Sequence, residues 1–334
     1  MRFWKVASIL AGFGLLYWIA SGIDLGDVGS LVVEVGAAGI GAAVGIYFLA
    51  FLGDSISWLL ILTSLPVDLA WMRRTFMIRL AGEAFNNVVP AGGFAGEPVK
   101  AVILKARYGV RYTEASASIV MARTVNMIAL IAFLMIGFVF MAASDSIDGP
   151  FKATASIGLI LLSVGTVLMF VVQRYKVSSW LAAKFSGHAW AERAAVAIKV
   201  IEELDDRFVT FYTRHRGRLV MALVLAFANW MLGAVEVYVT FRFLGHGISW
   251  ADAWMIEALA QMIRAAVFFI PLGIGAQEGA FVVISAAITG VPGLGLACAA
   301  VRRIRELLWV LLGLFAWMIY PTRLKDTVKP SADG

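Results

Sequence analysis

Cysteine is almost absent: the 334-residue chain has one, Cys298, within an apolar run. That excludes a disulfide framework, a CxxC redox pair and a cysteine metal cluster. Histidine is scarce too, and His188, His215 and His246 are too scattered for a metal site. Charged residues make up only 15% of the chain, against about a quarter in soluble globular proteins. No Walker A loop, G-x-S-x-G, H-E-x-x-H or paired acidic motif in a soluble loop is present. An ATP-driven pump and a soluble-type hydrolase are therefore unsupported. No catalytic residue, metal or cofactor is expected.

What the chain has is apolar length. It is 61% hydrophobic, with a mean hydropathy of +0.86. Runs of about 20 apolar residues recur, the length that spans a hydrocarbon core. These features predict an all-α polytopic membrane protein. A β-barrel is excluded, because barrel strands are about 10 residues long and alternate in polarity. The opening MRFWKVASILAGFGLLYWIASGI has a basic flank and a long, Trp-bearing apolar run. No A-x-A-like cleavage site ends it, so it reads as a first transmembrane helix and not as a signal peptide. The net charge of +6 is concentrated in loops. Topology and anionic lipid explain it there, and nucleic acid is not an expected partner.

Full crossings are predicted over residues 6–23, 36–62, 115–142, 156–172, 219–244 and 296–320. Two Pro/Gly-broken hairpins, about 73–108 and 250–290, complete the map. Nearly all loop Lys and Arg lie at the N-terminus, around Arg73 to Arg111, in residues 174–218 and after residue 322. The positive-inside rule makes these regions, and both termini, cytoplasmic. The acidic loops around Asp24 and Asp145 then face outward. Six crossings fit if each hairpin enters and leaves on one side, the first opening inward and the second outward.

Residues 1–173 hold a first repeat, 174–218 a cytoplasmic connector, and 219–322, with the helix at 156–172, a second. Residues 323–334 form a cytoplasmic tail. In the connector, Ala194, Ala197, Ile201, Leu204, Phe208 and Phe211 recur at spacings of three and four. That is an amphipathic helix. It lies on the membrane face or, in a sharper reading, docks a partner.

The hairpins share the pattern P-x-G-x-x-x-x-E, from Pro90 to Glu97 and from Pro271 to Glu278. With one residue of slip, VMARTVN falls on AVRRIRE, matching Arg123 with Arg303 and Asn126 with Glu306. Each pair is spaced i, i+3 and shares a helix face. With halves starting on opposite sides, this is the signature of an inverted-topology repeat with re-entrant hairpins, an organisation that sets substrate near the membrane midplane.

Irregular backbone at membrane depth survives only in protein or beside a wet cavity, and intramembrane charges are functional suspects. The hinge candidates are Pro90, Gly92, Gly93 and Gly96 in the first hairpin, and Pro271, Gly273 and Gly275 in the second. Asn86, Asn87, Glu97 and Glu278 either satisfy helix ends or contact a lipid head or coupling cation. Arg123 and Arg303 either pair with Glu97, Glu278 or Glu306, or form a phosphate fork. Lys100, Asn126, Gln261, Arg264, Gln277 and Glu306 complete the expected substrate-facing set. Glu83 and Glu257 are further hairpin candidates. Glu83 and Arg264, of opposite charge, both lie seven residues before a hairpin proline, matching positions that would suit pairing across a pseudo-twofold axis. Asp54 and Glu236 read as packing or cavity residues.

RLAGEAFNNVVPAGGFAGEPVKAVILKARYGV, VMARTVN, IPLGIGAQEGAF and RRIRELLW resemble the lysylphosphatidylglycerol synthase transmembrane-region family, also called flippase-like integral membrane proteins. The resemblance spans roughly residues 6–320. It implies a bacterial inner-membrane protein whose fold moves or binds polar lipids. In the best-known relatives the membrane domain precedes a soluble aminoacyltransferase domain, which this sequence does not show. Membrane lipids are the expected partners, a separate lipid-synthesising enzyme a further one, and a homodimer is left open. The expected function is ATP-independent translocation of a phospho- or glycolipid between leaflets. The alternatives are a membrane-embedded lipid-modifying enzyme and a non-catalytic partner of a lipid synthase.

Overall fold

A computed structural model describes residues 25–88, 94–144, 149–176, 191–267, 270 and 274–319. The predicted helix at 6–23, the hinge residues Pro90, Gly92, Gly93, Pro271 and Gly273, and the tail at 323–334 lie outside the described residues. Among the described residues there are ten helices and no strand. They are α1 (Leu25–Ile61), α2 (Leu69–Val88), α3 (Gly96–Tyr108), α4 (Tyr112–Ala143) and α5 (Gly149–Arg174). After them come α6 (Ala191–Arg214), α7 (Arg216–Phe243), α8 (Trp250–Ala266), α9 (Ala276–Thr289) and α10 (Pro292–Ile319).

Among the described residues, four stretches are long and apolar enough to cross a membrane: Gly29–Ile61, Tyr112–Ala143, Lys152–Arg174 and Arg216–Phe243. α10 has 28 residues, about 42 Å at helical rise. Its length suffices, but Arg302, Arg303, Arg305 and Glu306 interrupt its apolar composition.

The start of α1 corrects the expected boundary. The acidic stretch before residue 36, read as a loop, is helical from Leu25, and the break falls inside the helix at Gly36, with φ 62° and ψ −176°. Glycine takes positive φ without a Cβ clash, so helix continues on both sides. α5 likewise starts before residue 156, at Gly149, with Pro150 in its first turn, where a missing N–H costs nothing.

The hairpins form as pairs of helical arms, α2–α3 and α8–α9. α2 and α3 meet at glycines: a Cβ on Gly96 would lie 1.9 Å from the Gly82 carbonyl oxygen. Gly96, expected as a hinge, sits at this close helix contact, where only glycine fits. Gly275, with φ 82°, stands just before α9.

Helix contacts follow an exchange rule. α1 packs on α7. Replacing α1–α4 by α7–α10 carries each remaining contact within this set onto another: α1·α2 onto α7·α8, α2·α3 onto α8·α9, and α3·α4 onto α9·α10. Likewise α2·α10 exchanges with α8·α4, α1·α10 with α7·α4, and α1·α4 with α7·α10. α5 and α6 stand outside this scheme. α6 lays Phe208, Phe211 and Tyr212 against Ala117 and Met121 of α4 and Ala222 and Ala226 of α7, on the face its periodicity predicts.

Candidate functional site

A cavity of about 320 Å³ lies between the two helix sets, lined by α1, α2, α3 and α4 and by α7, α8 and α10. Its floor of apolar and aromatic side chains includes Tyr47, Phe51 and Trp58 from α1 and Trp230 from α7. Charge dominates the rest. Arg79, Lys100, Arg123, Arg264, Arg302 and Arg305 face Asp54, Glu83, Glu236, Glu257 and Glu306. Glu97, Glu278 and Arg303 stand behind them, bonded to lining residues or to each other. The cluster thus holds seven cations and seven carboxylates. In a low-dielectric interior such balance is required, because an uncompensated ion costs several kcal/mol.

The deepest layer is structural in character. Arg302 donates to Glu257 at 2.6 Å and Arg305 to Glu236 at 2.8 Å. All four are at least 95% buried. Gln261 donates to the other Glu257 oxygen at 2.7 Å. Arg305 stacks over the Tyr47 ring at 3.8 Å and Arg302 over Phe281 at 4.9 Å. This latch joins α7, α8 and α10. On the opposite side Arg79 of α2 pairs with Asp54 of α1 and lies over Phe51.

The repeat-matched residues form matched contacts. Arg123 of α4 pairs with Glu97 in the first turn of α3. Arg303 of α10 donates to Glu278 in the first turn of α9 at 2.5 Å. Lys100 completes the first pair at 2.5 Å from Glu97, and Glu306 the second at 2.6 Å from Arg303. The helix starts are satisfied differently. Asn86 accepts the Gly96 N–H at 2.7 Å, whereas Glu278 accepts the Gly275 N–H at 2.8 Å. So Asn86 serves a helix end, Glu97 is an ion-pair partner, and Glu278 does both, one oxygen on the Gly275 N–H and the other on Arg303.

Of the residues expected to face substrate, Asn87, Lys100, Arg123, Asn126, Gln261, Arg264 and Glu306 line the cavity. Asn86, Glu97, Gln277, Glu278 and Arg303 do not. α9 contributes no lining residue among those described, and its Gln277 is 97% buried. The charges open to the cavity are Arg123 and Arg264, with side chains 44% and 39% exposed. Arg264 reaches Glu306 only at 4.0 Å. Glu83 makes no ion pair among the described residues; its partner is the Asn86 amide at 3.4 Å. The expected Glu83–Arg264 pair across the repeat axis is not formed. Asp54, Arg79, Glu236, Arg302 and Arg305 were undervalued from sequence, although each is a charge inside an apolar helix, the signal that marks such residues.

A family model for the lysylphosphatidylglycerol synthase TM region matches residues 5–322. The chain belongs to that family. Among its relatives is a UPF0104 membrane protein of Pyrococcus horikoshii, 22% identical over 250 residues, which cover 71% of this chain and 73% of the relative. A second, from Methanothermobacter thermautotrophicus, is 22% identical over 272 residues, covering 78% and 79%. No solved structure matches the chain significantly. The family match and the apolar helices make this member a multi-pass membrane protein. Both relatives are likewise described only as membrane proteins.

Outside the apolar helices, α6 is pinned to the start of α4. Thr113 donates to Glu203 at 2.9 Å, Arg207 donates to it at 3.1 Å, and Arg111 lies at 3.4 Å. Partial burial opposes ionisation of Glu203, but these donors outweigh it and hold its pKa below the ordinary 4.5. Deeper down, Tyr212 of α6 and Thr124 of α4 both bond Gln173 of α5, Tyr212 at 2.6 Å.

Proposed function

We propose that this protein moves a polar lipid, phospho- or glycolipid, between membrane leaflets without ATP hydrolysis. The carrying observation is the charge-balanced cavity enclosed between two helix sets related by the exchange rule. A sealed structural core has no use for half-exposed arginines. A head group in transit needs a polar path of this kind, while its acyl chains stay in lipid. Family membership favours the reading.

In this scheme α1–α4 and α7–α10 are inverted-topology repeats, and α2–α3 and α8–α9 are re-entrant hairpins opening to opposite sides. The protein sits in a cytoplasmic membrane with both termini inside. Arg123 and Arg264 hold the head group, and the buried Glu236, Glu257, Arg302 and Arg305 latch keeps one wall fixed while the hairpins shift. Transport is passive or coupled to an ion or proton.

The test is a fluorescent-lipid leaflet assay in proteoliposomes. Wild type should move lipid faster than empty vesicles, and Arg123→Ala should slow it. Equal rates in all three vesicle types would sink the proposal. Lipid mass spectrometry on a deletion strain separates transport from synthesis: a missing lipid species indicates an enzyme, and normal species in the wrong leaflet indicate a translocator.

A further inference from the structure

A second cavity, of about 230 Å³, lies outside the charged site, between the end of α1, the start of α4 and helix α6. Ile61, Ala117, Met121 and Phe211 give it an apolar floor. Most of its charges are committed. Glu203 takes Thr113, Arg207 and Arg111, and Asp206 pairs with Lys176. Glu114 is held more loosely. Its ion pair with Arg207 is 3.7 Å long, too far for a hydrogen bond. Glu114 Oε1 and Arg207 Nε are both buried without a hydrogen-bond partner among the described residues. One slack ion pair on the wall therefore carries a spare acceptor and a spare donor. The cavity also shares a wall with the charged site. On α4, Ser118 and Met121 line the second cavity, while Ile119, Ala122 and Arg123 line the first. Trp58 of α1 lines the first, and its indole N–H donates to the Ser118 hydroxyl at 3.1 Å.

We infer that the second cavity is a binding site for a small uncharged amphiphile with one hydroxyl, and that the Trp58–Ser118 bond carries its occupancy to the charged site. The inference goes beyond the translocation reading and stands without it. The wall charges already balance, with Glu114, Glu203 and Asp206 against Arg111, Arg207 and Lys176. A charged guest would bring an uncompensated ion into a partly buried site. A cation would also meet Arg207, and an anion would meet Glu114 and Glu203. A hydrocarbon would leave the spare donor and acceptor unmet, and buried polar groups without partners are costly. A hydroxyl both donates and accepts. Set between Glu114 and Arg207, it donates to the carboxylate and accepts from the guanidinium, while its carbon body lies on Ile61, Met121 and Phe211.

Size narrows the guest further. A cavity of about 150 Å³ takes benzene, so this one takes roughly nine heavy atoms, an octanol and not a diglyceride. Ser118 is the coupling residue. A guest packed against it moves the acceptor of Trp58, and the Lys100 ammonium lies 5.5 Å from the centre of the Trp58 ring. Lys100 in turn pairs with Glu97, the partner of Arg123.

The test uses the full chain, purified in detergent, and a photoreactive octanol carrying a diazirine. Labelled residues are mapped by mass spectrometry, with lipid-facing α5 as the background for simple partition. The alcohol should label Met121 and Phe211 at least about tenfold more than the matching octylammonium or octanoate probe does. Thr210→Trp, at an exposed position on the cavity edge, should fill the space and abolish that labelling. Competition by straight-chain alcohols should strengthen about fourfold per methylene up to octanol and then stop; a gain that continues through dodecanol overturns the enclosed site. Dioctanoylglycerol should compete poorly, and competition equal to octanol overturns the small guest. Equal labelling by all three probes, or labelling no stronger than that of α5, overturns the inference in wild type even if no variant folds. The coupling is read by fluorine NMR of 5-fluorotryptophan protein, with Trp58→Phe assigning the resonance. Octanol should shift the Trp58 signal in wild type and not in Ser118→Ala, which still takes the label. A shift of equal size in both overturns the coupling. None of these readouts needs lipid movement, so a failed leaflet assay sinks translocation and leaves this site standing.

Discussion

Removing the Arg302 side chain, as Arg302→Met, is the perturbation whose outcome the geometry fixes best. Arg302 is 96% buried and donates to Glu257 at 2.6 Å, with Glu257 itself 98% buried. Methionine fills much of the volume but leaves the carboxylate without its cation. Breaking a buried pair from one side costs about 3–5 kcal/mol, or roughly two to four orders of magnitude in the folding equilibrium. Glu257→Gln alone leaves the arginine with only the shared Glu236 carboxylate at 3.8 Å, a smaller loss, and the amide can still accept from Gln261. The double variant removes both charges, and replacing a whole buried pair is often neutral. It should therefore recover most of the loss, giving a coupling energy of about 2 kcal/mol or more. Reversible denaturant unfolding in micelles, followed by tryptophan fluorescence, measures all four states. Additive losses in the double variant would refute the claim that this pair exists to neutralise itself.

Gly96→Ala places a Cβ 1.9 Å from the Gly82 carbonyl oxygen; overpacking of about 1–3 kcal/mol or more should lower the melting temperature in detergent. Gln173→Leu removes the acceptor of the Tyr212 hydroxyl, while Thr124 keeps the Val120 carbonyl; stranding a buried hydroxyl costs about 1–3 kcal/mol, readable in the same melt. Glu203 has a lowered folded-state pKa. Its contribution to docking α6 is full above the unfolded value and fades as pH falls through the folded one. Limited proteolysis near α6 should be flat above pH 4.5 and accelerate as pH falls below it in wild type, and Glu203→Gln should flatten that dependence.

The hairpin arms were legible because their breakers are local: Pro and Gly between apolar runs fix where helix must stop. The matched ion pairs were legible for a related reason. Aligning Pro90–Glu97 with Pro271–Glu278 set Arg123 over Arg303, and both reach the glutamate of their own hairpin. Repeat alignment could not reveal the buried latch, because Ala122 and Val125 stand where the second half has Arg302 and Arg305. Its partners also come from three helices far apart in sequence. The early part of α1 was misread because Asp27 and Glu34 look like loop acids, yet the chain there stays helical and breaks only at Gly36. Gln277 was expected to face substrate as a polar residue of the second hairpin; on α9 its side chain is buried away from the cavity lining.

The central claim is that a lipid head group occupies the cavity between α1–α4 and α7–α10. Electron cryo-microscopy of the protein in nanodiscs of mixed phosphatidylethanolamine and phosphatidylglycerol tests it most directly. The account predicts phosphate density within hydrogen-bonding reach of Arg264 and Arg123, with acyl chains leaving between helices. Lipid density confined to the outer belt, with Arg264 folded onto Glu306 and the cavity holding only water, would contradict it.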